Sequence, residues 1–233
     1  MDPYENIVIG NFLYSLGLRI GQLSAEDVRP MCVNMLQQSP MDHALGDLMV
    51  ANAGVTRLIE FKRESNPSEK EETKRTLLSR ALTGKPHLEL ISREIHWYIE
   101  TSENAENLVS RVVSYLDFAD PQAPTTSIER FTDSVATHAV ANEIDAETRA
   151  AYEQYVNLVA VSHGGLQGAS GGLIVNYSEK DGLRYALVAD IRDLLLDHRL
   201  VREAYFERVR QQALELSREQ AVREKRVSRG RGR

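Results

Sequence analysis

Between residues 46 and 62 the chain reads Gly-Asp-Leu-Met-Val-Ala-Asn-Ala-Gly-Val-Thr-Arg-Leu-Ile-Glu-Phe-Lys. Residues 46–51 have the apolar, β-branched character of a strand, Asn52-Ala53-Gly54 supplies a turn, and residues 55–62 form a second strand. So short a connection implies an antiparallel pair. Successive strand side chains point to opposite faces, so Glu60 and Lys62 share one face while Ile59 and Phe61 take the other. A strand this apolar on both sides of its charges belongs in the middle of a sheet. Burying a carboxylate and an ammonium there costs on the order of several kcal/mol each unless they are paired or bound to a metal. Asp47, on the antiparallel neighbour, brings a second carboxylate alongside. Two carboxylates and a lysine at one edge of a sheet suit a hard divalent cation such as Mg²⁺.

Around this hairpin the hydrophobic periodicity predicts further elements. Residues 4–16 carry apolar side chains at helical spacing and stop at Gly17. Ser24, with Glu26 and Asp27 behind it, reads as the start of a second helix towards Gln38, with Pro30 early enough to be tolerated. Pro67 and Ser68-x-x-Glu71 resemble a capping box, opening a helix that runs to about Leu82 and ends near Gly84. Residues 94–100 alternate as a strand, and a helix over 104–118 closes the first unit. Pro121, Pro124 and the Thr125-Thr126-Ser127 run mark a boundary. Helices over 127–140 and 145–161 follow, then a Gly-rich loop over 164–172. A hairpin comes next, 173–177 and 183–189 about a Lys180-Asp181-Gly182 turn. Amphipathic helix over 191–225 ends the pattern, and Arg229-Gly230-Arg231-Gly232-Arg233 has the composition of a disordered tail. The division is therefore a core over 1–120, a helical region with a hairpin over 121–216, and a basic tail over 217–233.

The Asp47…Glu60-Phe61-Lys62 arrangement resembles the PD-(D/E)xK nuclease superfamily, whose pattern is an Asp, a variable gap, then Asp or Glu, any residue, and Lys on neighbouring strands. The resemblance covers roughly residues 1–118 and implies an α/β, restriction-endonuclease-like core, a mixed sheet flanked by helices. The strand expected before Asp47 is not visible in the sequence, and residues 40–46 are a poor candidate for it. Carried over by position, Asp47 and Glu60 would be metal ligands together with the backbone carbonyl of Phe61. Lys62 would orient or help activate the attacking water and stabilise charge on the phosphate. The first helix of such proteins often adds a glutamate, for which Glu5 and Glu26 compete. The helix after the lysine often adds a polar residue, for which Lys74 and Arg75 are candidates. The resemblance implies a Mg²⁺- or Mn²⁺-dependent nuclease acting on DNA rather than RNA, with a leaning towards anti-phage defence. A catalytically silent nucleic-acid-binding or scaffold subunit is the second reading. A helical interaction protein with a solvent-exposed hairpin is the third.

Other features carry less. Asp42 competes with Asp47 for the first acidic position, but it precedes any strand signal. His43 lies close enough in sequence to touch a metal or a phosphate, although a polar loop residue is the simpler account. The remaining histidines are scattered and indicate no zinc site. The glycines over 164–172 lack the Gly-Lys-Ser/Thr ending of a phosphate-binding loop. Cys32 is the lone cysteine, so no internal disulfide forms, which fits a reducing compartment such as the cytoplasm. No stretch approaches the roughly 18 consecutive apolar residues of a membrane span. The net charge of −6 hides an asymmetry, because residues 217–233 hold seven Arg or Lys against two Glu. The remainder is thus strongly acidic, which argues against a surface coated for nucleic acid but not against a local basic cleft or tail. The terminal helix, with Leu200, Val201, Tyr205, Val209, Ala213 and Leu216, offers an apolar stripe for its own core, a protein partner or a homo-oligomer.

Overall fold

The computed structural model describes residues 5–24, 28–36, 45–52, 54–64, 69–101, 109–141, 143–163, 172–178 and 182–188, together with residues 211, 214 and 218. In chain order the elements are α1 (Glu5–Leu23), β1 (Val28–Met35), β2 (Leu48–Ala51), β3 (Thr56–Arg63), α2 (Glu69–Leu82), α3 (Pro86–Ile95), β4 (His96–Thr101) and β5 (Val109–Ser114). A 3₁₀ turn over Tyr115–Asp117 follows, then α4 (Ile128–Ala141), α5 (Ala146–Ser162), β6 (Gly172–Ser178) and β7 (Gly182–Val188). The strands form one mixed α/β sheet in the order β5-β4-β3-β2-β1-β6-β7. Among the described strands only the β3–β4 pairing is parallel, and it is made by the crossover through α2 and α3. Among the described residues no helix is long and apolar enough to cross a membrane.

Three sequence expectations are corrected. Residues 28–35 are a strand rather than part of a helix over 24–38. Pro30 lies beyond the first turn of such a helix, where it would break it. In β1 it falls at the point where the register against β6 slips between Val28 and Met31, a place where a missing N–H is tolerated. This strand occupies the position that seemed empty before Asp47. Residues 109–114 are likewise a strand, not part of a helix over 104–118. Val112 and Val113 are both fully buried although they point to opposite faces, so burial on both sides had erased the alternation that identifies a strand. Finally, α1 continues through Gly17 to Leu23, because Leu16 and Ile20 extend the buried stripe of Val8, Ile9 and Phe12.

The alternation within β2 and β3 divides the interior. Leu48, Val50, Ile59 and Phe61 pack beneath α1 and α4. Met49, Ala51 and Leu58 pack with residues of α2, α3 and α5 on the other face. The helices predicted over 127–140 and 145–161 and the hairpin after them match α4, α5, β6 and β7 to within two residues, whereas the helix predicted over 191–225 and the basic tail lie, apart from residues 211, 214 and 218, outside the described residues. The sequence sets these residues apart as an accessory region, but in the fold they complete the same two cores and extend the same sheet. Asp145 caps α5 by accepting from the backbone N–H groups of Glu147 and Thr148.

The core beneath α5 contains a chain of polar groups. Tyr155 and Ser92 share a hydrogen bond of 2.7 Å between their hydroxyls, and the Tyr155 hydroxyl also lies 2.7 Å from His96 Nδ1. The His96 ring stacks flat on Tyr115, with centroids 4.0 Å apart. Complete burial, reinforced by His163 and Lys74, holds the His96 pKa well below its usual value, so the imidazole is neutral in the fold. The unfolded chain binds a proton at this histidine below about pH 6.5 and the folded chain does not, so stability must fall as pH drops through that value. Urea denaturation from pH 8 to pH 5 should show the wild type losing more stability than His96→Gln. Parallel pH profiles for the two proteins would refute the buried neutral histidine.

Candidate functional site

The site forms where β2 parts from β3. Gly46 turns the chain with φ of 98°, a left-handed conformation that disfavours any side chain. A Cβ there would also stand 3.1 Å from Glu60 Oε2 and 3.3 Å from the Ile59 carbonyl. The last ladder bond between the strands runs from the Asp47 N–H to the Ile59 carbonyl, 3.1 Å. Beyond it the strands separate, and the next N–H on that edge, from Phe61, donates to Asp47 Oδ2 at 2.8 Å. The Asp47 carboxylate thus replaces the missing strand. It is 4% exposed, and Glu60, one residue past the last paired position of β3, is 3% exposed. These values exclude the solvent-exposed hairpin.

Lys62 leaves the same face of β3 as Glu60 and puts its ammonium 2.7 Å from Glu60 Oε1 and 3.9 Å from Asp47 Oδ2. Burial, and then the Asp47 carboxylate, push Glu60 up to about 8 against the pull of Lys62. Burial draws the Lys62 pKa down, but Glu60 and Asp47 outweigh it and keep the ammonium charged well above its usual range. Glu5 reaches the same strand end from α1, accepting the Arg63 N–H at 3.2 Å. Its pKa is raised, first by burial, with Lys62 opposing and Asp47 adding to the shift.

A further acidic group comes from α2. Glu71, which the sequence marks as part of a capping box, is 3% exposed. Its Oε1 lies 2.7 Å from Lys74 Nζ, and its Oε2 accepts from the Tyr115 hydroxyl at 2.9 Å. Burial pushes its pKa up, but Lys74 and these hydrogen bonds, Lys62 adding its pull, hold it below the usual value. The signal that would have found it is position: one turn into the helix after Lys62, Glu71 and Lys74 share a face.

The structure therefore gathers Asp47, Glu60, Lys62 and the Phe61 backbone, and brings Glu5, one of the two glutamates the sequence offered, to the same strand end. Lys74 borders the group through Glu71. Arg75 does not join it: its guanidinium pairs with Glu72, donates to the Leu116 carbonyl at 3.3 Å and lies 5.7 Å from the Phe118 ring centre. Adjacent helix positions point about 100° apart, so Lys74 and Arg75 cannot both face the sheet. Glu26 and His43 lie outside the described residues.

Charge tests whether a cation fits. Four carboxyl groups, of Glu5, Asp47, Glu60 and Glu71, face the ammonium groups of Lys62 and Lys74, with the Arg63 guanidinium acting on Glu5, so the acids outnumber the cations by one when all are ionised. The upward shift of Glu60 comes first from its burial and then from the Asp47 carboxylate. Among the described residues no three acidic, histidine or cysteine side chains are drawn together as a ready coordination shell. Mg²⁺ does not require one, since it keeps several waters and is commonly held by one or two carboxylates. Asp47 and Glu60 meet that requirement. No family model, curated protein or solved structure matches the chain.

Removing Lys62 should leave buried carboxylates without their cation. Lys62→Met is expected to cost about 3 kcal/mol in urea denaturation, and adding Glu60→Gln should restore most of it. A single-variant cost under about 1 kcal/mol, the size of a solvated surface pair, would show that the group is not buried as a unit.

Proposed function

We propose that the chain is a Mg²⁺-dependent phosphodiesterase of the PD-(D/E)xK type, hydrolysing the DNA backbone with water as nucleophile. The observation that carries this reading is the buried Asp47–Glu60–Lys62 group at the parting of two strands, two carboxyl groups about one ammonium. The order α1-β1-β2-β3-α2, followed after α3 by a strand parallel to β3, supports it, because that is the layout expected of a restriction-endonuclease-like core.

Asp47 and Glu60 would hold the cation, and the Phe61 carbonyl is the backbone donor beside them. Such an ion supplies charge to offset the phosphate and lowers the pKa of a coordinated water. Lys62 is charged whenever the protein is active near neutral pH, so it is a donor rather than a base. Its ammonium would bind a phosphate oxygen and stabilise the charge that develops there. Glu60 must release its proton before it can hold a cation, so cation binding would strengthen as pH rises towards about 8. Glu5 anchors the N-terminal end of α1 to the backbone of β3, fixing one wall of the site.

Supercoiled plasmid, linear duplex, single-stranded DNA and RNA should be incubated with the protein in Mg²⁺, Mn²⁺ or EDTA. Metal-dependent cleavage of DNA is expected, and Lys62→Ala and Glu60→Gln should each reduce it at least about a hundredfold. Saturable Mn²⁺ binding without cleavage of any substrate would favour a silent binding or scaffold module. Absence of both binding and cleavage would end the nuclease reading.

A further inference from the structure

The buried positions of α2 are Glu71, Leu78 and Leu82. An apolar residue at the first of them would serve packing as well as it does at the other two, since a buried ion pair is commonly replaced by apolar side chains of similar size without loss of stability. The chain instead places a carboxylate there and commits both of its oxygens. Glu71 Oε1 lies 2.7 Å from Lys74 Nζ, and Oε2 accepts from the Tyr115 hydroxyl at 2.9 Å. The backbone of Lys74 is tied as well, its carbonyl oxygen 3.2 Å from Nε2 of His163 at the end of α5. The Tyr115 ring is held in turn: His96 stacks on it at 4.0 Å, and Phe118 meets it edge-on at 5.5 Å.

The surroundings show what this assembly serves. Glu60 feels the charges of both Glu71 and Lys74, and Lys62 acts on Glu71, so the pair on α2 lies within electrostatic reach of the strand acids. Repulsion from Glu60 would turn an untethered glutamate outward, and the Tyr115 hydroxyl opposes that. The side chains of Lys62 and Lys74 are 18% and 13% exposed, against 6% or less for Asp47, Glu60 and Glu71. An anion arriving from solvent therefore meets two ammonium groups before it meets the carboxylates. We propose that Tyr115 is a positioning residue for substrate: through Glu71 it aims the Lys74 ammonium, which binds a backbone phosphate from the α2 side of the site. The inference rests on the phosphodiesterase reading. Lys62, set between the acids that would hold the cation, serves the reacting phosphate, whereas Glu71 gives its oxygens to Lys74 and Tyr115 and so adds affinity for the substrate.

Binding of an end-labelled short DNA duplex to the full chain should be followed by fluorescence anisotropy over a series of salt concentrations, with Ca²⁺ in place of Mg²⁺, and plasmid cleavage in Mg²⁺ measured beside it. Lys74→Met should raise Kd about tenfold and lower the slope of log Kd against log salt by about one, the mark of one lost phosphate contact. Tyr115→Phe, which removes only the hydroxyl, should raise Kd about threefold or more in the wild type and change nothing further in Lys74→Met. The double variant Glu71→Leu/Lys74→Met should melt no lower than the wild type yet bind as weakly as Lys74→Met, which separates loss of the contact from loss of the fold. An unchanged salt slope in Lys74→Met, or a Tyr115→Phe effect of equal size in both backgrounds, overturns the inference; metal-dependent cleavage that persists alongside either result leaves the phosphodiesterase reading standing. A chain that neither binds nor cleaves DNA overturns both.

Discussion

The hydrogen bond from the Phe61 N–H to the Asp47 carboxylate governs how this sheet is built. Two antiparallel strands that stayed paired to their ends would leave no room for side chains between them. Here β2 leaves one residue early, and a carboxylate takes over as acceptor, so a buried N–H is satisfied while a gap opens in the sheet. A neutral acceptor would do as much for the backbone. A carboxylate does it at the cost of placing a charge opposite Glu60, and the rest of the site follows from managing that charge. Lys62 must be long enough to reach both acids from the next position on the same face. Gly46 must lack a side chain because Glu60 fills the space. Glu71, whose charge also acts on Glu60, is held by Lys74 and Tyr115.

Legibility in the sequence follows the range of the interaction that decides each feature. The β2–β3 hairpin and the face shared by Glu60 and Lys62 depend on neighbours a few residues away, and alternation displays them directly. The helices after Pro121 and the last hairpin are bounded by local turn and cap chemistry, such as Asp145 at the head of α5, and were legible for the same reason. By contrast β1 and β5 are strands because of what lies on both sides of them. Their apolar residues are not confined to one face, and a short unbroken apolar run cannot be told from a buried helix by period alone. Glu71 was hidden differently. Its spacing from Ser68 offered a sufficient local explanation, and the long-range contact with Tyr115, 44 residues later, leaves no trace in the sequence around it. Arg75 and Lys74 could be separated only once the orientation of α2 was known.

The inner stripe of α1 packs on β3 and α4, with Phe12 between Phe61 and Phe131. Its first residue touches the backbone beside Lys62. One rigid helix thus joins the strand end that carries the chemistry to the core beside it, so displacement of α1 as a body would move Glu5 with it. The opposite face of the sheet is braced through polar groups, from Ser92 and Tyr155 to His96, whose ring lies on Tyr115. Stacking and hydrogen bonding there fix the angle of Tyr115, and through it the orientation of the Glu71 carboxylate.

Because Asp47 is at once a lone-pair donor towards the site and the acceptor for a main-chain amide, the two roles compete for the same electron density. Whatever draws on the carboxylate, whether a cation, a proton or the Lys62 ammonium swinging closer, must weaken the bond it offers to Phe61. The amide proton of Phe61 is therefore a built-in spectroscopic gauge. It is buried within the sheet, remote from solvent exchange, and positioned so that its resonance moves with the occupancy of the site rather than with the breathing of the fold.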